Sequence, residues 1–150
     1  MKHNTSDFNC SITVPASASR AFQSICNVDA WWTTDLHGNT QHLNDSFTVA
    51  FYGETFVKFL ITEMLPEKKI IWLVTDCYLH WIENKHEWTN TRVIWEIVQQ
   101  GNQTHIHMTH EGLIPSAECY ASCKEGWNEH IRGSLFQLLT QGKGNPVLPK

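Results

Sequence analysis

The chain has 150 residues with 15 acidic and 11 basic side chains, a formal net charge of −4. Hydrophobic residues make up 41% and charged residues 17%, a globular composition that excludes intrinsic disorder, collagen-like repeats and coiled coil. Positive charge is nowhere concentrated. Lys68-Lys69 is the densest basic spot, which excludes the basic stripe of a nucleic-acid-binding protein.

The polar start Met1–Asp7 has no apolar stretch behind it, and no apolar run approaches the roughly 18 residues of a membrane span. The expectation is a cytoplasmic protein without a membrane span. The five cysteines (Cys10, Cys26, Cys77, Cys119 and Cys123) form no paired framework and read as reduced, mostly buried small hydrophobes. Length and the lack of a linker or repeat predict a single domain over 1–150.

In chain order, Phe8 to Val14 alternates as a half-buried strand and Pro15 ends it. Ser17 suits an N-cap for a helix over Ala18 to Cys26, and Ala30-Trp31-Trp32 reads as a short second helical turn. Residues 33–46 are polar and read as a loop. From 47 to about 110 strand follows strand: Phe47 to Tyr52, broken by Gly53, then Thr55 to Met64, Lys69 to Thr75, Arg92 to Gln99 and Thr104 to His110. Leu65-Pro66-Glu67 and Gln100-Gly101-Asn102 read as turns, and residues 79–90 as a polar connection that carries Trp81 and Trp88. Apolar side chains fall on both faces of Thr55–Met64, so its inward face is open and one face suits an oligomer surface. After Pro115 the period becomes helical. Ser116 is the predicted N-cap, and Tyr120, Cys123, Trp127, Ile131, Leu135 and Leu138 form an apolar stripe ended by Gly142.

Antiparallel strands followed by a long helix predict an α+β layer structure. About six strands would form a curved sheet wrapped around the C-terminal helix, with two short helices after the first strand. Helix and sheet must part somewhere along such a length, which leaves a pocket between them. By pleat alternation Ile70, Trp72 and Val74 face inward with Val93, Trp95 and Ile97, and so do Ile106, Met108 and His110.

These elements carry a family resemblance. Ile12-Thr13-Val14-Pro15-Ala16-Ser17 opens the first helix and the Trp31-Trp32 pair follows it. Leu65-Pro66-Glu67-Lys68-Lys69-Ile70 lies between strands, Thr109-His110-Glu111-Gly112-Leu113 ends the sheet, and Gly126-Trp127 precedes Ile131, Leu135 and Leu138. Over residues 6–144 the chain resembles the START-like (SRPBCC) helix-grip superfamily. Within it, the chain resembles the activator of heat-shock-protein-90 ATPase homologue family in its short single-domain bacterial form. The resemblance implies the helix-grip fold and, across the superfamily, binding of lipids, sterols, polyketides or hormones, with some members cyclases. It also implies contact with a chaperone, although the chain leaves no room for the separate N-terminal domain of the chaperone-activating members. It names no single chemistry.

The candidate site follows from the aromatic content, 7 Trp, 7 Phe and 3 Tyr, accompanied by 9 His. Trp72, Trp95, Met108, His110, Trp127 and Ile131 are expected to line a cavity, with Trp31 and Trp32 near its opening and the Tyr120 hydroxyl setting orientation. A core filled by the same rings is the alternative. His110 could orient a ligand, act as a proton handler in a cyclase or dehydratase, or be satisfied by a backbone carbonyl. His105 and His107 share a face two residues apart but lack a third ligand there, so no metal is expected. Cys119 and Cys123, four apart on the helix, read as packing residues because a disulfide at that spacing is awkward. No nucleophile elbow, phosphate loop or inward carboxylate pair is present, so no catalytic residue and no cofactor are assigned. The expected partner is a small hydrophobic or amphipathic molecule, with a chaperone as the alternative and monomer or homodimer open.

Overall fold

The computed structural model describes residues 6–52 and 54–148. The N-terminal residues 1–5 and Gly53, read above as a strand break, lie outside the described residues. The opening alternation becomes β1 (Phe8–Val14), which buries Phe8, Cys10, Ile12 and Val14. Helix α1 (Ala18–Cys26) starts where its cap predicts, with the Ser17 hydroxyl accepting from the Arg20 amide at 3.1 Å. A single turn, α2 (Val28–Trp31), delivers Trp31 and Trp32 to the interior.

Six further strands complete one antiparallel sheet: β2 (Leu36–Gly38), β3 (Ser46–Ala50), β4 (Phe56–Leu65), β5 (Lys69–Tyr78), β6 (Arg92–Gln100) and β7 (Gln103–Glu111). Their order across the sheet is β1-β7-β6-β5-β4-β3-β2. The seven strands exceed the expected six because β2 pairs with β3 inside the stretch read as loop. Three residues are too few for a period of two to show in sequence. The register places Val93 opposite His110 and Trp95 opposite Met108. Ile70, Trp72, Val74, Ile97 and Ile106 are buried with them on one face. The ambiguity of β4 resolves in the same sense. Val57, Phe59 and Ile61 are buried, while Phe56 and Leu60 stay half-buried on the outer face.

The long C-terminal helix α3 runs without interruption through Tyr120–Asn128, Glu129–Leu135 and Phe136–Gln141. It packs across the inner face of the sheet, giving the predicted helix-grip arrangement. Its middle segment is wound as wider π turns. That winding explains the buried stripe, which is Cys123, Trp127, Ile131, Leu135 and Leu139, every fourth residue. On a pure α-helix a four-residue step drifts by about 40°, or about 160° over the whole stripe. The wider turns absorb that drift and keep all five side chains on one face. For the same reason Leu139, rather than the expected Leu138, is the fully packed residue near the end.

The start of α3 also departs from expectation. Ser116 is not its cap; the helix begins one residue after Cys119, whose backbone is not helical (φ −89°, ψ 2°). Two carboxylates hold this approach to the 79–91 loop. Glu87 accepts from the amides of Glu118 and Cys119 at 2.6 and 3.0 Å, and Glu118 accepts from the amides of Glu83 and Asn84 at 2.6 and 2.9 Å. Those amide bonds, led by the one from Asn84, hold the Glu118 carboxyl below its ordinary value.

The Cα atoms of Cys119, the residue before the helix, and Cys123 lie 5.6 Å apart, and the two are joined in a disulfide. This corrects the reading of both as reduced packing residues, which assumed that both sat on helical turns. Cys10, Cys26 and Cys77 are free and buried, and burial pushes all three thiols up, Cys10 and Cys26 to about 11. No helix among the described residues is long and apolar enough to cross a membrane.

Candidate functional site

The inner face carries one continuous set of aromatic rings. At its centre Trp72 meets Trp95 edge to face at 5.5 Å, Trp31 meets Trp95 at 5.7 Å, and Phe47 meets Trp72 at 5.2 Å. These rings are at most 1% exposed and fill their space. The Trp31 indole donates to the Ile25 carbonyl at 3.3 Å. The Trp95 indole nitrogen is buried with no hydrogen-bond partner among the described residues, enclosed edge-on by Trp31, Trp72 and Trp127.

Toward the start of α3 the set continues but the packing opens. Trp32 stacks on Trp72 at 6.3 Å and leans on Trp127 at 4.9 Å, and Trp127 stacks on Trp88 at 5.9 Å with planes 4° apart. Beside Trp32, Trp88 and Trp127 lies a cleft of about 310 Å³. That is near the lower end of the roughly 300–1,000 Å³ of small-molecule sites. Four stretches build its wall. Trp32 comes from the end of α2; Phe51, Tyr52, Thr55 and Val57 from β4 and the turn before it. Leu79, His80, Trp81 and Trp88 come from the 79–91 loop, and Ser122, Cys123, Gly126, Trp127 and His130 from α3.

The cleft opens where α3 presents Ser122 and Gly126 beside the one large ring of Trp127. A Cβ built on Gly126 would meet no atom within 4 Å. Lower down, Ile131, Leu135 and Leu139 occupy the corresponding space. The loop forms the opposite lip, held by the paired carboxylates described above. It is held further by the Trp81 indole donating to the Ser122 hydroxyl at 3.0 Å and the Trp88 indole donating to the Cys119 sulfur at 3.2 Å.

His110 lies behind the wall, not on it. It is fully buried, and both ring nitrogens are engaged. The Trp127 indole donates to Nδ1 at 3.0 Å, so the proton of the neutral ring sits on Nε2 and goes to the Thr91 hydroxyl at 2.8 Å. Thr91 in turn donates to the Trp88 carbonyl at 2.6 Å. The chain therefore fixes one tautomer and orients both Trp127 and Trp88. Burial pushes the imidazole down to about 3, so it stays neutral. Gly112 makes room for this arrangement: at φ +105° a Cβ there would come within 2.6 Å of Thr91 Cγ2.

Of the residues singled out from sequence, Trp32 and Trp127 stand on the cleft wall. Trp31, Trp72, Trp95, Met108 and Ile131 are packed in the filled core. Tyr120 lies half-buried at the first turn of α3, off the cleft wall, beside Lys124 and Asn128. His105 and His107 bond Thr13 and Ser11 across the β1–β7 ladder at 3.2 and 2.5 Å. Among the described residues no group of three potential ligands is placed to hold a metal. Sequence reasoning did not place Trp81, Trp88, Gly126 and His130 at the site. Two tryptophans inside an otherwise polar connection were the available signal for the first pair.

Residues 17–140 match the model of the family described as Activator of Hsp90 ATPase homolog 1-like protein. The chain is similar to the Aha1 dimer from Colwellia psychrerythraea, solved in solution. The TM-score is 0.75 at 24% identity, covering 92% of this chain and 98% of that one. It is similar to protein SSP2350 from Staphylococcus saprophyticus, with a TM-score of 0.71, 11% identity and coverage of 95% and 98%. It is also similar to DynU16, a protein in the dynemicin biosynthetic locus, with a TM-score of 0.67, 17% identity and coverage of 93% of this chain and 49% of that one. Among curated proteins there is no match. At these identities the solved structures establish the helix-grip fold.

Proposed function

From a chain that belongs to the Activator of Hsp90 ATPase homolog 1-like family, we propose a binding protein that holds a small hydrophobic or amphipathic molecule in the cleft between the 79–91 loop and α3. One observation carries this reading. The wall of the cleft holds Trp32, Trp81, Trp88 and Trp127 and not one Asp, Glu, Lys or Arg among its described residues. Trp81 stands exposed at the opening, and its ring gains from burial under an apolar ligand at about 25 cal/mol per Å² removed from water.

Native mass spectrometry of the protein purified from its own cells, followed by denaturing extraction, tests the reading. The expected result is a bound apolar molecule that disappears in Gly126→Leu, whose side chain would grow into the cleft. A molecule retained undiminished by a folded Gly126→Leu would place binding elsewhere, and a clean unliganded mass would argue for a closed aromatic core.

A second reading rests on the family's name, in which the chain would contact the chaperone Hsp90. It predicts stimulation of the chaperone's ATPase that survives Gly126→Leu, since a protein contact surface does not need the cleft. Absence of stimulation would remove it.

A further inference from the structure

The polar side chains of the cleft wall are nearly all occupied. Thr55 is hydrogen-bonded to His80, Ser122 accepts from Trp81 and donates to the Cys119 carbonyl, and the Tyr52 hydroxyl donates to the Leu148 carbonyl at 2.7 Å. The Trp88 and Trp127 indoles are spent on Cys119 and His110. His80 is bonded through Nδ1, and two side chains are left without any hydrogen bond. His130 and the indole of Trp32 line the cleft with their rings 6.2 Å apart, and neither has a hydrogen bond to any described residue.

His130 is also set apart by its backbone. It is the second residue of the π-wound segment of α3, the irregularity that holds the buried stripe in phase. Such turns recur at functional sites because they re-aim side chains that an α-helix would point elsewhere.

We infer that the cleft selects a flat, neutral aromatic molecule bearing a single hydroxyl, with His130 and the Trp32 indole holding that hydroxyl. The inference rests on the cleft being a ligand site. A hydroxyl matches the vacant pair because it donates one hydrogen bond, to an imidazole nitrogen, and accepts another, from an indole N–H. Stacked and edge-on indoles favour a planar ring system over a flexible chain. A carboxylate or ammonium would enter with no opposite charge on the wall, and an isolated charge is costly in such a place. His130 does not supply the missing charge: burial holds its imidazole below the ordinary value, so it meets the ligand as a neutral donor and acceptor.

Equilibrium dialysis of the full chain at neutral pH against naphthalene, naphthol and naphthoate tests this. These three probes share one ring system and differ in the polar group. The wild-type protein is expected to retain naphthol roughly fivefold more tightly than naphthalene, the effect of about one net neutral hydrogen bond, and to retain naphthoate least. His130→Phe should erase the naphthol advantage while keeping naphthalene, and His130→Gln, which keeps a donor and an acceptor, should restore part of it.

The imidazole nitrogen resonances of His130 in the wild-type protein give a readout independent of any variant. They should shift with naphthol and stay in place with naphthalene. A naphthol advantage that survives His130→Phe, imidazole resonances indifferent to naphthol, or naphthoate as the preferred probe would each overturn the inference while leaving the cleft as a binding site. Failure of all three probes to bind the wild-type protein would instead remove the cleft reading, and this inference with it.

Discussion

The two halves of α3 face the same sheet with opposite results. The lower half sets Ile131, Leu135 and Leu139 on the inner face, where they join Trp31, Trp72 and Trp95 in the sealed core. The upper half carries Trp127 with Ser122, Cys123 and Gly126 beside it, facing Trp32 and Trp88, and a cleft remains. Both regions are rich in tryptophan, so ring content alone does not make a cavity. The small residues beside Trp127 on the helix do, together with the carboxylate-held loop that keeps Trp81 and Trp88 at the rim.

That contrast can be broken at either end. The largest effect is expected in the sealed region, where Trp72→Ala should cost about 3–5 kcal/mol in urea unfolding because the space it leaves is enclosed. A loss near 1 kcal/mol would mean that the sealed region is as loosely packed as the cleft. At the rim, the disulfide closes only a short loop, since its cysteines are four residues apart. Reduction by a dithiol should cost about 2 kcal/mol, read as a lowered Tm, and Cys119→Ser should show that loss with no further change on reduction.

Acid should act on the boundary between the two regions. His110 is held at about 3 in the folded protein against 6.5 when unfolded, so below pH 6.5 the unfolded chain binds the extra proton. Stability contributed by the neutral ring is complete above pH 6.5 and falls as pH drops toward the folded value, by about 1.4 kcal/mol per pH unit. His130, lowered by burial, works in the same direction. Urea titrations between these limits should show that slope, and His110→Gln should flatten it. A slope unchanged in a folded His110→Gln would assign the proton uptake to other groups. The smallest expected effect is a gain. Gly126→Ala adds a methyl group where nothing lies within 4 Å, and it should stabilise α3 by about 0.5–1 kcal/mol. A loss there would mean that the space beside Gly126 is not open.

The strands were legible because alternation of period two is written directly in residues 8–14, 92–99 and 104–110, and the helix cap at Ser17 is a local bond. The inward sets on β5, β6 and β7 followed from that alternation. What did not follow was how fully the space they face is filled. Trp72 and Trp95 are inward as expected, yet inside the filled core rather than on the cleft wall. His110 is inward too, but its partners, Thr91 and Trp127, come from positions that no spacing rule links to it. The start of α3 was misplaced for a similar reason. Ser116 is a good local cap, and it was outcompeted by Glu87, a residue on a distant loop.

The sequence by itself determined the layers: which residues form strands, which face of each turns inward, and that a long amphipathic helix must cover them. These depend on periodicity and near-neighbour bonds, which a linear chain displays. Only the tertiary structure decided where helix and sheet part, which indoles find acceptors, and that Cys119 and Cys123 meet. Each of those depends on volumes and hydrogen-bond partners brought together from different elements. The π turns of α3 join the two levels. The fourfold spacing of the stripe is visible in the sequence, but only packing against the sheet makes the backbone widen to keep it facing inward.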